Sequence, residues 1–230
     1  MTVTKRIYSI CSHLKSVKLC DIGTDHCLLP IYAIQEGKTL AAIGADVNAG
    51  PLARARENVT REGLMDKIEL RLGDGFAPIS IGECDSAVIS GMGGMLITHI
   101  IERGIDVASA LKQLILSPQS DHAQVRRSLH KLGFEIYAED MVKDGDKFYP
   151  VIVTRPCSLK LAESYTDFEY EFGKLMLESP NDDFYKHLEE LKRKNENIIN
   201  RNPISEDRKK QILEVIRFID EFCESRACRR

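Results

Sequence analysis

The chain contains no tryptophan, and all aromatic residues together make up only 7% of its 230 positions. It also lacks any apolar run approaching the roughly 20 residues that a bilayer-crossing helix requires, so no membrane span is expected. The opening MTVTKRIYSICSHLKS carries a few basic residues but no sustained hydrophobic segment, which argues against a secretory leader and for a cytoplasmic protein. The seven cysteines, an odd number, show no C-x2-C spacing, so neither a zinc knuckle nor a redox pair is expected, and no metal site. Cys20, Cys27 and Cys157 lie within or beside apolar runs, where cysteine behaves as a small hydrophobe. Charge of one sign is also lacking: 32 Lys and Arg face 35 Asp and Glu, for a net charge of -3. That balance leaves a nucleic-acid partner open, because binding to a polyanion depends on local contacts and not on the global sum.

What is present is a regular alternation. Short apolar runs at Val17–Ile22, Ala41–Val47, Ile68–Leu72, Asp85–Ser90 and Gln113–Ser117 predict strands. Helical patterns fall between them: Cys27–Glu36 with Pro30 tolerated in the first turn, Pro51–Gly63 opening on proline and closing on glycine, and a helix capped by Asp121 that runs through Leu132. Strands alternating with helices imply a parallel sheet covered on both faces. Glu135–Val142 and Pro150–Thr154 are joined only by the turn-rich Lys143-Asp144-Gly145-Asp146, which predicts an antiparallel pair at one edge. The combination is the mostly parallel seven-stranded sheet of the Rossmann-like class I methyltransferases, an α/β fold, over residues 1–160.

Beyond Arg155-Pro156 the β-branched runs disappear. Phe168, Phe172, Leu175 and Met176 recur at helical spacing, as do Phe184, Leu188, Leu191 and Ile198, and then Ile212, Val215, Ile216, Ile219 and Phe222. Ser179-Pro180-Asn181-Asp182 and Asn202-Pro203-Ile204-Ser205 break these patterns. Residues 161–230 are thus expected to add an all-helical extension of three helices, the last two forming an antiparallel hairpin.

On a doubly wound sheet a nucleotide-like cofactor lies across the C-terminal strand ends, where the strand order reverses. Four loops belong there. The first is Asp21-Ile22-Gly23-Thr24-Asp25-His26, in which Gly23 allows close backbone approach to a ligand. The G-x-G-x-x-G spacing that accommodates a pyrophosphate is missing. Asp21 and Asp25 would repel phosphates but suit a ligand carrying an ammonium and a sulfonium, which points to S-adenosyl-L-methionine. The competing reading is a tight strand-to-helix turn whose carboxylates cap the helix. Asp46, followed by Val47, ends the second strand about 20 residues further on, where a carboxylate can accept from both ribose hydroxyls. Gly73-Asp74-Gly75 follows the third strand; its carboxylate can accept from an adenine amine, or the segment is simply a turn. The fourth loop is Ser90-Gly91-Met92-Gly93-Gly94, where Gly91 adjoins both cofactor and acceptor. Its glycines suggest bare main chain pressed against ligand and target, and it offers no stacking aromatic.

DIGTDHCLLP, GDG, SGMGG, Ser117-Pro118-Gln119 and Lys147-Phe148-Tyr149 together resemble the bacterial tRNA (adenine(22)-N(1))-methyltransferases of the TrmK type. The resemblance covers the whole Rossmann part and the helical extension. It implies methyl transfer from S-adenosyl-L-methionine to N1 of a tRNA adenine, and a coiled-coil-like helical extension that helps to grip the tRNA. Acceptor-side candidates are the Gly91, Met92, Gly93 and Gly94 backbone, Gln119 as a hydrogen-bonding partner of the flipped adenine, and Tyr149 as a stacking platform. Tyr149 reads equally well as a half-buried strand aromatic. His26 is a ligand contact or a helix cap, and Asp25 serves the methionine ammonium or the cationic product. Basic residues cluster at Arg54, Arg56 and Arg61, at Arg126, Arg127 and Lys131, and within the extension, but they stand among as many acids. Competing functions are a small-molecule or protein methyltransferase, with the extension as lid or dimerisation arm, and a non-catalytic S-adenosylmethionine-binding protein. The oligomeric state stays open, with a monomer compatible.

Overall fold

A computed structural model of the chain describes residues 3–157, 165–201 and 204–227. The alternating pattern folds into α1 (Lys5–His13), β1 (Lys18–Ile22), α2 (Leu28–Gln35), β2 (Ala41–Asp46), α3 (Ala49–Arg61), β3 (Ile68–Leu72), β4 (Ser86–Ser90), α4 (Gly94–Arg103), α5 (Ile105–Ala108), β5 (Gln113–Ser117), α6 (His122–Lys131), β6 (Phe134–Asp144) and β7 (Lys147–Pro156). The seven strands form one sheet in the order β3-β2-β1-β4-β5-β7-β6. β1 to β5 pair in parallel, while β7 runs antiparallel to both β5 and β6. The strand order therefore reverses between β1 and β4, and that reversal opens the crevice in which such sheets bind ligands.

Strands covered on both sides must be apolar on both sides, and successive side chains here do divide between two cores. Cys20, Ile22, Ile43, Ala45, Ala87, Ile89, Leu114 and Leu116 face one way, packed with Ile97 and Ile101 of α4 and Val125 and Leu129 of α6. Leu19, Ala42, Val88, Ile115 and Val153 face the other, packed with Ile10, Leu29, Ile31, Ala55 and Val59 from α1, α2 and α3.

Two local expectations change. Asp121 does occupy the N-cap position of α6, but in the left-handed conformation (φ 56°) and with no side-chain bond to the helix; its carboxylate instead accepts from Ser120 Oγ at 2.7 Å. The β6–β7 hairpin is also longer than its apolar runs suggested. Ladder hydrogen bonds recruit the polar Lys143 and Asp144 opposite Phe148 and Lys147, with Gly145 supplying the positive φ (62°) that the tight turn needs.

The chain divides into two compact units, Met1–Ser179 and Pro180–Arg230, rather than at residue 160. Residues 158–164 lie outside the described residues, but α7 (Asp167–Phe172) and α8 (Lys174–Glu178) belong to the first unit. The reason is an ion pair that sequence periodicity does not reveal. Arg126 of α6 is 1% exposed; its Nε donates to Glu139 at 2.7 Å, and its Nη1 donates to the carbonyls of Tyr170 and Glu171 at 2.8 and 2.9 Å. The Glu139 side chain is fully buried and also accepts from the Leu175 N–H at 3.2 Å. α7 and α8 are thereby bolted to the sheet domain. Gly173 (φ 91°) separates them, so the single helix expected over this stretch is two short ones.

The second unit consists of α9 (Asp182–Arg201) and α10 (Glu206–Ala227), with Asn202 and Pro203 of the expected breaker outside the described residues. Asn181 caps α9 by accepting from the Phe184 N–H at 2.8 Å. Phe184 meets Phe222 edge-on, Tyr185 meets the same ring at a tilt, and Lys192 pairs with Asp220 at 2.5 Å, so aromatic and ionic contacts both join the two helices. Among the described residues, no helix is long and apolar enough to cross a membrane.

Candidate active site

The C-terminal ends of β1, β2 and β4 bring three of the four predicted loops together. At the end of β1 the N–H groups of Gly23 and Thr24 both donate to the Ala45 carbonyl, at 2.8 and 3.0 Å, tying this loop to the end of β2. Gly23 has φ 79°, and a Cβ there would collide with the methyl of Met92. The positive φ favours glycine here, and a Cβ would also have to displace the flexible end of the Met92 side chain. Cys27 caps α2 in the left-handed region (φ 57°), completing a sharp turn from strand to helix.

Asp21 is 6% exposed and, among the described residues, has no cationic partner. Burial pushes its carboxyl up to about 6, the neighbouring Thr24 hydroxyl offsets part of that shift, and Asp46 adds to it. A desolvated carboxylate that gains nothing from an arginine or lysine is suited to a cation supplied from outside. Asp46 is half-buried, and its Oδ1 accepts from the Asn48 N–H at 2.8 Å, which holds the carboxylate in a fixed orientation at the strand end. Val47 beside it is 60% exposed, an apolar surface on the same rim.

Asp25 and His26 lie differently. Both are exposed; Asp25 pairs with Arg54 of α3 at 2.6 Å and with His26 Nε2 at 3.4 Å, and the His26 carbonyl accepts from Asn58. They belong to a surface network joining the loop to α3. Asp74 is likewise exposed and pairs with Arg103 of α4 at 2.6 Å. Gly75 takes φ 55° with Ile100 packed against it. Asp74, Gly75, Phe76, His99, Ile100 and Arg103 border a cavity of about 260 Å³ between the end of β3 and α4.

After β4 the glycines divide by role. Gly91 (φ 79°) donates its N–H to the Ser117 carbonyl at 3.2 Å and faces open space bounded by Arg6. Gly94 is buried where a Cβ would strike the Ser120 carbonyl and Val125, so its bareness serves helix–loop packing. Gly93 caps α4, with Ser120 Oγ 3.2 Å from where a Cβ would lie. The Met92 carbonyl accepts from the Gln119 N–H at 2.8 Å, which stitches the loops after β4 and β5 together while the Gln119 side chain stays exposed. Tyr149 sits on β7, beyond the level of Leu116–Ile152 pairing, and is therefore at the same edge of the sheet. It is half-buried, and one ring face is covered by the Arg6 guanidinium at 4.6 Å.

Arg6 is the neighbour of this site that the sequence did not single out. The only signal was local: Thr4 accepts from the Ile7 N–H, and Ile7, Ile10, Cys11 and Leu14 share helical spacing. Nothing in that pattern says that α1 docks on β6 and β7.

The donor set fits S-adenosylmethionine better than a dinucleotide. A cradle made by Gly23, an uncompensated buried carboxylate and a second oriented carboxylate suit an ammonium and a ribose diol, and nothing here is shaped for a pyrophosphate. Among the described residues, no group of three or more His, Cys, Asp or Glu side chains could hold a metal ion.

A family model described as tRNA (adenine(22)-N(1))-methyltransferase matches residues 19–222. The tRNA (adenine(22)-N(1))-methyltransferase of Bacillus subtilis is 34% identical over 154 residues, 66% of this chain; the match spans 65% of that relative, just under two thirds of its length. The crystal structure of the B. subtilis m1A22 tRNA methyltransferase TrmK superposes with a TM-score of 0.82 at 27% identity, covering 96% of this chain and 98% of that one. Streptococcus pneumoniae Sp1610, solved in complex with S-adenosyl-L-methionine, superposes with a TM-score of 0.85 at 27% identity, covering 96% and 99%. With a crevice that suits a sulfonium cofactor and a family match from β1 into α10, the chain belongs to the TrmK family, the tRNA (adenine(22)-N(1))-methyltransferases.

Proposed function

We infer that this protein methylates N1 of adenine 22 in tRNA, using S-adenosyl-L-methionine. The observation that carries the reading is the family match over residues 19–222, which takes in every strand-end loop of the crevice. When bound, S-adenosylmethionine supplies an electrophilic methyl on a sulfonium. Asp21, Gly23 and Thr24 are assigned to its methionine portion, Asp46 to the ribose hydroxyls, and Val47, Asp74, Gly75 and Gly91 to the adenine. Asp25 and His26 are assigned to the outer rim, in keeping with their pairing to α3. Asp74 accepts from Arg103 through one oxygen, and its second oxygen is the candidate acceptor for an exocyclic amine.

Adenine N1 carries a lone pair and loses no proton before attack, so the protein's task is to hold the acceptor in line and exclude water. The Gly91–Gly94 main chain and the Gln119 side chain are assigned to the flipped base, and Tyr149 to stacking. The product is cationic, and carbonyl oxygens of the stitched loops after β4 and β5 are suited to stabilise it. The α9–α10 unit is proposed as a tRNA-gripping arm; it carries Arg193, Arg208, Lys209 and Lys210, while Lys192 and Lys194 are engaged by Asp220 and Glu190. A tRNA acceptor also places the reaction in the cytoplasm, where tRNA is matured and used.

The test is incubation with methyl-labelled cofactor and unmodified tRNA, followed by nucleoside analysis. Label in 1-methyladenosine at position 22 is the expected result. Label in a different nucleoside, or none in any tRNA despite cofactor binding, would refute the assignment.

A further inference from the structure

We propose that Arg6 holds a phosphate group of the acceptor nucleotide, so that the N-terminal helix α1 forms part of the RNA-binding face of the site. The inference rests on the reading of the protein as a tRNA methyltransferase and names a residue and a ligand group which that reading does not supply.

Three segments far apart in the chain meet here. The guanidinium of Arg6 on α1 lies over the Tyr149 ring of β7, with its central carbon 4.6 Å from the ring centroid. Its Nη2 and Nη1 lie 3.9 and 4.0 Å from the point where a Cβ on Gly91 would stand, at the end of β4. The cation–π contact anchors the guanidinium over the ring, and the absence of a side chain at Gly91 leaves space beside its two terminal nitrogens. Among the described residues the guanidinium has neither a hydrogen-bond acceptor nor an ion-pair partner, and its Nε is buried. A partly desolvated cation with unmet donors is costly unless a ligand supplies the acceptor. Elsewhere in the same unit, the half-buried Arg71 is paired with Glu69 and Glu83, and the fully buried Arg126 with Glu139.

The identity of the acceptor follows from position and charge. The carboxylates Asp21 and Asp46 end β1 and β2, on one side of the reversal in strand order, and suit the cationic and hydroxylated parts of the cofactor. Arg6 stands on the other side, between the ends of β4 and β7, where the target base must enter. A guanidinium N–H donating to adenine N1 would occupy the lone pair that has to attack the methyl group, so a base-edge contact there would oppose the reaction. A phosphate oxygen pair matches the planar donor edge and leaves N1 free. Such a contact fixes the register of the flipped nucleotide without reading its sequence.

The experiment measures tRNA binding to the full-length protein and to Arg6→Gln and Arg6→Lys variants over a series of salt concentrations, with cofactor affinity and methyl transfer measured alongside. Arg6→Gln is expected to weaken tRNA binding by about tenfold or more at low salt. It should also make the slope of log affinity against log salt shallower by about 0.7 to 0.9, the signature of one lost phosphate contact. Cofactor affinity should stay at the wild-type value. Arg6→Lys should regain the salt slope but only part of the affinity, since a lysine offers charge without the two-pronged edge. Weaker tRNA binding with an unchanged salt slope would overturn the proposal and leave Arg6 as a brace for Tyr149. Loss of cofactor affinity would overturn it in favour of a contact to the cofactor's carboxylate. If the wild type itself neither binds nor methylates tRNA, the functional reading fails first and the phosphate contact with it; a wild type that methylates tRNA with an Arg6→Gln variant of unaltered binding sinks the phosphate contact alone.

Discussion

Asp21→Asn should separate cofactor binding from folding stability, moving them in opposite directions. The buried carboxyl titrates at about 6, against an ordinary value of 3.8, and desolvation is the main cause. Because the folded value lies above the unfolded one, the folded chain binds the proton more tightly between the two. Stability contributed by the protonated form is therefore fully present below about pH 4 and is lost as pH rises through about 6. The difference of about two units corresponds to about 3 kcal/mol of destabilisation at neutral pH, as an upper bound because the variant amide must also be desolvated. Urea denaturation of the cofactor-free protein at pH 7.5 should then find Asp21→Asn more stable than wild type by up to about 3 kcal/mol, and at pH 4 the two should be nearly equal. Cofactor binding should respond in the reverse sense. A cationic ligand favours the ionised carboxylate, so wild-type affinity should rise with pH up to about 6 and then level off. The variant should bind weakly and without that rise. A variant that is less stable than wild type at both pH values, or whose cofactor affinity is unchanged, would refute the picture of Asp21 as a strained carboxylate kept for the ligand.

The remaining expectations concern packing and ion pairs. Gly23→Ala imposes an unfavourable φ and displaces the flexible end of Met92, and should cost about 1–3 kcal/mol of stability by urea denaturation as well as lower cofactor affinity by calorimetry. Arg126→Ala leaves Glu139 buried without its cation and frees two α7 carbonyls, so a loss of about 3–5 kcal/mol is expected, with α7 and α8 becoming susceptible to limited proteolysis. Glu83, held by Arg71 and titrating at about 2 against an ordinary 4.5, should stabilise the fold above about pH 4.5 and lose that contribution as pH falls toward 2. Glu83→Gln should accordingly be less stable than wild type at pH 7 and converge with it in acid. Cys11 and Cys27, both buried with thiols pushed up to about 12, should resist a disulfide reagent in the native state, while the half-buried Cys157 and Cys223 react first.

Much of this protein follows from local sequence, because the features concerned act within a few residues. Two-sided apolar runs closed by Gly23, Gly73 and Gly91 predict parallel strands and place the crevice loops, since β-strand burial and turn chemistry are short-range properties. The acidity of the first loop and its missing phosphate glycines already select a sulfonium cofactor over a dinucleotide. The tertiary structure alone decides whatever depends on which distant groups meet. It brings Arg126 to Glu139 and so makes α7 and α8 part of the sheet domain, moving the boundary from residue 160 to 179. It commits Asp25 to Arg54 and Asp74 to Arg103, while leaving Asp21 without a cation among the described residues. Asp121 loses its cap because the tight packing of Gly94 against the loop at Ser120 and Asp121 takes precedence over local preference. Arg6 shows the limit most plainly: its neighbours Gly91 and Tyr149 are 85 and 143 positions away in the numbering. No periodicity or motif spans such distances, and only the packing of α1 against the β6–β7 hairpin brings a basic residue of an unremarkable N-terminus to the edge where the acceptor must enter.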